Sequence, residues 1–233
     1  MFFSTHPNVQ PILLFDLMGL NKFFNRKIID NLCAGRQNVF EMMLDDLFIK
    51  LKETGAELVF YEDGSVSTKK YDTYIKRQDQ KYVKSIQLQD LINDGCPLND
   101  IVEKNASSYG NLISEMGSVH TIEICARRHG TLTSTFTVEC DTEMAEYASK
   151  TPAVLAIMAD DSDFLIYSGN WRYFSLRHLD CDSLMTKEYS RIELRNYLKL
   201  SDTQMVVLST LGGNDVMQYE NVMVKLIQCS FVF

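Results

Sequence analysis

The chain is short of several things that would name a chemistry outright. Its six cysteines (Cys33, Cys96, Cys125, Cys140, Cys181 and Cys229) are scattered, with no CxxC pair and no Cys/His spacing suited to zinc. They are expected as buried free thiols of a reducing compartment. The four histidines (His6, His120, His129, His178) are dispersed and form no HExxH. No GxSxG elbow, no GxxxxGK[ST] loop and no GxGxxG turn occurs, which argues against a serine hydrolase, a P-loop nucleotide site and a dinucleotide fold. No apolar run reaches about 18 residues, so no membrane-spanning helix is expected. The N-terminal apolar stretch is broken by Asp16 and lacks a basic leader, so no secretory signal is expected either. A cytoplasmic or nuclear location follows.

What is abundant is acid. There are 31 Asp and Glu against 23 Lys and Arg, a formal charge of −8, which disfavours a general nucleic-acid sponge. The imbalance is not uniform. Lys69, Lys70, Lys76, Arg77, Lys81 and Lys84, against Asp72 and Asp79, give one short segment a net charge of +4, which leaves −12 for the rest. Such asymmetry suggests a face that meets an anion; a solvated helix face is the plainer reading. Tyr71, Tyr74 and Tyr82 lie among these charges, either to stack bases or to pack the helix. The length of 233 residues and 45% apolar content suit a single domain over 1–233, with a charged helical excursion at about 65–116.

The acids fall at particular places. Asp16 follows Ile12-Leu13-Leu14-Phe15, Asp63 follows Leu58-Val59-Phe60-Tyr61-Glu62, and Glu139 and Asp141 follow Phe136-Thr137-Val138. Asp161 and Asp163 follow the apolar run 154–159, and Asp215 sits in the glycine turn 211–215. A short apolar run ending in an acid reads as a buried strand with a carboxylate at its carboxyl end. Open α/β sheets bind ligands at those ends. Helical patterns over about 21–34, 38–54, 69–93, 98–116 and 141–150 separate the strands. The helix at 38–54 is expected to present Val39, Met42, Met43, Leu47 and Leu51 on one face. His120–Cys125 reads as a third strand followed by a basic turn at 127–130, with further short strands at 164–167 and 171–176. Alternating strands and helices predict a three-layer α/β/α fold with a mostly parallel sheet.

Carboxylates converging at strand ends repel one another unless cations neutralise them. Positions i and i+2 share no helix face, but at a strand-to-helix junction Glu139 with Asp141, and Asp161 with Asp163, can aim at one centre. Oxygen-only ligation suits Mg²⁺ or Mn²⁺. For any single aspartate the alternative is a helix N-cap.

The ordered set Asp16, Asp63-Gly64, Glu139-x-Asp141, Asp161-x-Asp163 and Gly213-Asn214-Asp215 resembles the flap endonuclease/XPG-like branch of the PIN-like nucleases. The stretch 160–164 is closest in flavour to the Asteroid/constitutive-coactivator group. The resemblance covers about residues 11–217 and implies a metal-dependent nuclease of RNA or DNA. Asp16, Asp63, Glu139, Asp141, Asp161, Asp163 and Asp215 would hold two Mg²⁺ or Mn²⁺ ions, with Glu139, Asp161 and Asp163 nearest the first. It also implies that Lys70 and Arg77, seven and fourteen residues after Asp63, bind the scissile phosphate from one helix face. The chain departs from the family at its Met-Phe-Phe-Ser start, and no helix-hairpin-helix follows Asp215. A protein partner supplying further nucleic-acid contacts is therefore expected. The alternative is a catalytically weak or inactive PIN-like scaffold for protein or RNA interactions.

Overall fold

A computed structural model of the chain describes residues 9–27, 37–64, 68–97, 100, 118–136 and 139–211. Strand β1 (Ile12–Asp16) is followed by helices α1 (Leu17–Lys27) and α2 (Gln37–Glu53), then β2 (Glu57–Asp63). A 3-10 turn (Thr68–Lys70) leads into the long helix α3 (Tyr71–Asn93). Next come α4 (Ser118–His129), β3 (Thr131–Thr135), α5 (Cys140–Lys150), β4 (Val154–Ala159) and a 3-10 helix (Ser162–Leu165). Strands β5 (Arg172–Ser175) and β6 (Glu188–Tyr189) and helices α6 (Arg191–Leu198) and α7 (Asp202–Leu211) complete the described chain.

The sheet has the order β3-β2-β1-β4-β5-β6. Every pairing from β3 across to β5 is parallel, and β6 is antiparallel to β5. The chain winds outward from β1 through β2 to β3, then returns to β4 on the other side of β1. The carboxyl ends of β1 and β4 therefore flank the point where strand order reverses, the place at which open α/β sheets form a crevice.

The period-two alternation of the strands divides the core. Leu13, Phe15, Leu58, Phe60, Ala156 and Met158 face α1, α2 and α4 on one side of the sheet. Ile12, Leu14, Val59, Tyr61 and Ile157 face α5 and the 3-10 helix at 162–165 on the other. Central strands covered on both faces are apolar throughout, as β1 and β4 are. Phe15 stacks on Phe60 at 5.3 Å, and Phe48 of α2 meets the Phe60 ring edge-on at 4.9 Å. This aromatic trio locks α2 under the strands whose ends carry Asp16 and Asp63.

Several expectations need correcting. Residues 120–125 are helical, not a strand: Val119, Ile122, Cys125 and Ala126 recur at helical spacing and pack into the core of α4. Arg127, Arg128 and His129 are its last turn rather than a basic loop, and they favour the negative end of the helix dipole. The third strand is Thr131–Thr135. Residues 164–167 lie in and after a 3-10 helix capped by the Asp161 carboxylate, not in a strand. Helix α1 starts at Leu17, four residues earlier than its apolar pattern suggested, because the Asp16 side chain caps it. In α2 the buried face is Phe40, Leu44, Leu47, Phe48 and Leu51; Val39 and Met42 are exposed. The expected helix at 98–116 falls almost wholly outside the described residues. Among the described side chains of α3 none is fully buried, and Thr73, Gln78, Lys81 and Leu91 are half-buried.

Candidate metal centre

Each acid is delivered by the end of a structural element. Asp16 closes β1, and its carboxylate accepts hydrogen bonds from the backbone N–H groups of Met18 at 3.0 Å and Gly19 at 2.9 Å. A Cβ on Gly19 would lie 2.8 Å from the Asp16 Oδ2 and 3.2 Å from the Asp160 nitrogen, so only glycine lets α1 start this close to the end of β4. Asp63 closes β2 at the register position of Thr135. The following Gly64 donates its N–H to the Thr135 carbonyl at 2.8 Å, and a Cβ there would meet that oxygen at 2.5 Å. Glycine is thus required at position 64 by the close approach of β3.

Asp161 follows β4, and its Oδ1 accepts the Asp163 N–H at 3.0 Å. Asp163 lies in the first turn of the 3-10 helix. Glu139 occupies the N-cap position of α5 but makes no side-chain cap; its Oε2 instead lies 3.0 Å from the Lys70 Nζ. Asp141 lies in the first turn of α5, where the helix dipole favours negative charge.

The electrostatics show which acids meet. Burial pushes the Asp141 carboxyl up to about 7, and the charges of Asp16, Asp161, Asp63 and Asp163, in that order, push it the same way. Burial likewise raises Asp16 to about 6; Lys22 and the N–H groups of Met18 and Gly19 oppose the rise, and Asp63 adds to it. The buried Cys140 thiol is raised by burial and by Asp63, Asp16 and Asp141. Five of the seven predicted acids, Asp16, Asp63, Asp141, Asp161 and Asp163, therefore share one electrostatic centre. Glu139 borders it: with Asp141 and Asp163 it raises the Tyr167 hydroxyl, for which burial is the larger cause. Asp215 lies outside the described residues. Lys70 stands at the N-cap of α3 rather than within the helix, and Arg77 is exposed two turns on.

Two contributors were not foreseen. Lys22 of α1 is a cation acting on Asp16, and nothing in its local pattern marks it. Tyr167 shares a hydrogen bond with Thr142 at 2.9 Å beside Asp141. Among the described residues, the grouping whose possible ligand atoms all lie within 4.8 Å of one another is a different one, Glu41, Asp45 and Cys125; the strand-end acids sit farther apart than that. Its carboxylates already have partners, since Arg128 reaches Asp45 at 2.5 Å and Glu41 at 2.7 Å, and His129 lies 2.8 Å from Asp45. Those ion pairs tie α2 to α4, and the grouping reads as structural.

A donor set made of carboxylate oxygens, partly withdrawn from water and with insufficient positive charge nearby to hold Asp141 at its ordinary value, fits a hard divalent cation. A soft or imidazole-binding metal would find no suitable partners among these groups, the Cys140 thiol being held protonated.

No family model matches the chain. Over 213 residues it is 25% identical to the constitutive coactivator of peroxisome proliferator-activated receptor gamma of Bos taurus, covering 91% of this chain and 29% of that protein. The Homo sapiens protein of the same name is 24% identical over 213 residues, with 22% of it covered. The chain thus spans less than a third of the curated relatives it matches. Among solved structures, the catalytic core of Rad2 superposes with a TM-score of 0.51 at 16% identity, over 90% of this chain and 53% of that one. The Rad2 core in complex with DNA substrate gives 0.50 at 16% identity, over 90% and 55%. At such identity the likeness is one of fold: the chain has a mostly parallel, three-layer α/β fold like that of the Rad2 catalytic core.

Proposed function

We propose that this chain is a divalent-metal-dependent nuclease that hydrolyses phosphodiester bonds of RNA or DNA, single-stranded or structured. The observation that carries the reading is the meeting of Asp16, Asp63, Asp161 and Asp163 around the Asp141 carboxyl at the sheet's switch point. Asp16, Asp63, Glu139, Asp141, Asp161 and Asp163 would hold two Mg²⁺ or Mn²⁺ ions, joined by Asp215. Bound there, such ions supply a water of lowered pKa and positive charge for the phosphodiester oxygens. The chain's own part is to fix the ligands and exclude alternatives. The backbone caps hold the Asp16 and Asp161 carboxylates in place. Lys70 and Arg77 would steady the phosphate, the guanidinium offering a fork of donors and the ammonium a point charge. The resemblance of 160–164 to the Asteroid/constitutive-coactivator group belongs to this reading as a subgroup assignment.

The test is cleavage of a labelled oligonucleotide with Mn²⁺ by wild type, Asp161→Ala and Asp141→Asn. Wild type is expected to cut and both variants to lose at least about a hundredfold in rate, the scale of losing one group that stabilises transition-state charge. Equal activity in all three would refute the reading.

A second reading has one observation in its favour: the sequence relatives are named as coactivators and not as nucleases. In that case the fold is a catalytically weak or inactive scaffold for protein or RNA interactions. Mn²⁺ binding without cleavage of any oligonucleotide would support it.

A further inference from the structure

The parallel sheet brings the end of β5 to the same carboxyl edge as the acids. Ala159 of β4 lies opposite Ser175 of β5, so Asp161 and Arg177 each stand two residues past that register pair. Arg177 belongs to the 3-10 helix Leu176–His178, and its Nε donates to the Asp160 Oδ1 at 3.1 Å. Anchor and head differ in exposure: the Asp160 side chain is 6% exposed and the Arg177 side chain 57%. Among the described residues Arg177 has no further hydrogen bond or ion pair. Its Nε is thus fixed, and the two terminal nitrogens keep their donors for a ligand. This junction sits against Asp16. A Cβ on Gly19 would lie 2.8 Å from the Asp16 Oδ2, 3.0 Å from Leu176 and 3.2 Å from the Asp160 nitrogen. Lys22 is exposed on α1, the helix that packs against 176–178, and its charge acts on Asp16.

We infer that Arg177 is a second phosphate contact of the acid centre: oriented by Asp160 and joined by Lys22, it binds a backbone phosphate of the nucleic-acid strand next to the one at the metal ions. This rests on the nuclease reading above. Neutralising Asp160 needs only a charge. A guanidinium held by Nε alone leaves its terminal fork open, and that planar fork matches two phosphate oxygens. By strand order, Lys70 with its partner Glu139 lies on the β2–β3 side and Arg177 on the β5 side, with the ends of β1 and β4 between them. Basic groups on both sides of the acids contact phosphates on both sides of the reacting one. The ligand is then a strand that continues past the metal ions on the β5 side, not a single nucleotide.

Binding of a labelled single-stranded oligonucleotide to the full chain, with Ca²⁺ in place of Mn²⁺, reads the contact across a series of salt concentrations. Arg177→Gln should weaken binding roughly three- to tenfold and flatten the slope of log affinity against log salt by about 0.7, the value of one phosphate contact on a single strand. Arg177→Lys should keep the slope and recover part of the affinity, because the charge stays and the fork is lost. Lys22→Gln probes the same rim from an exposed site of another element and should flatten the slope by a similar amount. Lys150→Gln removes an exposed charge at the far end of α5 and should change neither quantity. In Mn²⁺ cleavage of the same oligonucleotide, Arg177→Gln should raise KM by a similar factor with kcat within about twofold of wild type, the pattern of lost uniform binding. Its calorimetric Mn²⁺ affinity should match wild type. Equal slopes in wild type and Arg177→Gln would overturn the contact. A fall in kcat and in Mn²⁺ affinity at an unchanged slope would overturn it too, and would make Arg177 a brace for Asp160 and Asp161. Cutting by wild type with equal slopes would leave the nuclease reading standing without the contact. Oligonucleotide that wild type binds but never cuts would overturn that reading alone, and the slopes would still decide the contact.

Discussion

Replacing Asp141 by Asn should stabilise the metal-free protein at pH 8, although it removes a proposed ligand. The carboxyl of Asp141 is held at about 7 in the folded chain, against an ordinary 3.8, by burial and by four neighbouring acids. A raised carboxyl means that the folded state binds the proton more tightly than the unfolded one. The contribution to stability is therefore most favourable at low pH. It is eroded as pH rises from about 4 and is fully lost above about 7. At 1.36 kcal/mol per unit, the cost of ionising Asp141 at pH 8 is at most about 4 kcal/mol, and it is smaller by roughly 2–3 kcal/mol at pH 5. An amide keeps the shape without the charge. Urea unfolding of metal-free protein should then show Asp141→Asn more stable than wild type by about 2–4 kcal/mol at pH 8, with the gap mostly closed at pH 5. Mn²⁺ at a hundred times its Kd should add about 2.7 kcal/mol to wild type and much less to the variant, narrowing or reversing the order. If Asp141→Asn were less stable than wild type at pH 8 without metal, the carboxylates would not be repelling one another and the clustering argument would fail.

Other perturbations probe other links. Phe60→Ala should cost about 3–5 kcal/mol in urea unfolding, because it empties the contact with Phe15 and Phe48 under the strands that carry Asp16 and Asp63. Gly64→Ala should destabilise the chain and weaken Mn²⁺ binding together, since the new Cβ collides with the Thr135 carbonyl and moves Asp63. A variant that binds Mn²⁺ like wild type would show Asp63 to be dispensable. Arg128→Ala should lower the urea midpoint slightly with Mn²⁺ binding unchanged, because it removes the partner of Glu41 and one of the two partners of Asp45 at the α2–α4 seam away from the acid centre; calorimetry of the folded variant checks this.

The parallel strands at the middle of the sheet were legible because a strand buried on both faces must be apolar from end to end, and 12–15, 58–61 and 154–159 are. The acids behind them were legible for the same reason, since the polar residues just after such a run (Asp16, Glu62-Asp63, Asp160-Asp161) mark where the strand leaves the core. The misreadings have physical causes too. In α4 the buried stripe is Val119, Ile122, Cys125 and Ala126, and its small, weakly apolar members let the alternation of 120–125 pass for a strand. Residues 164–167 hold the aromatics Phe164 and Tyr167 and read as a strand, yet Asp161, three residues before Phe164, caps the Asp163 N–H and favours a tight helical turn. The face of α2 was assigned by counting Val39 and Met42, whereas Phe40 and Leu44, one and two residues on, go inward. The Lys70–Glu139 pair joins residues far apart in the chain and left no mark in local pattern. Neither did the action of Lys22 on Asp16.

The central claim is that divalent cations bind among Asp16, Asp63, Asp141, Asp161 and Asp163. Crystals soaked in Mn²⁺ and measured at the manganese absorption edge address it directly. Anomalous peaks within coordination distance of the Asp141 and Asp161 oxygens are the predicted result. Well-ordered, separated carboxylates with no anomalous density between them, at a Mn²⁺ concentration that does not shift melting, would contradict it.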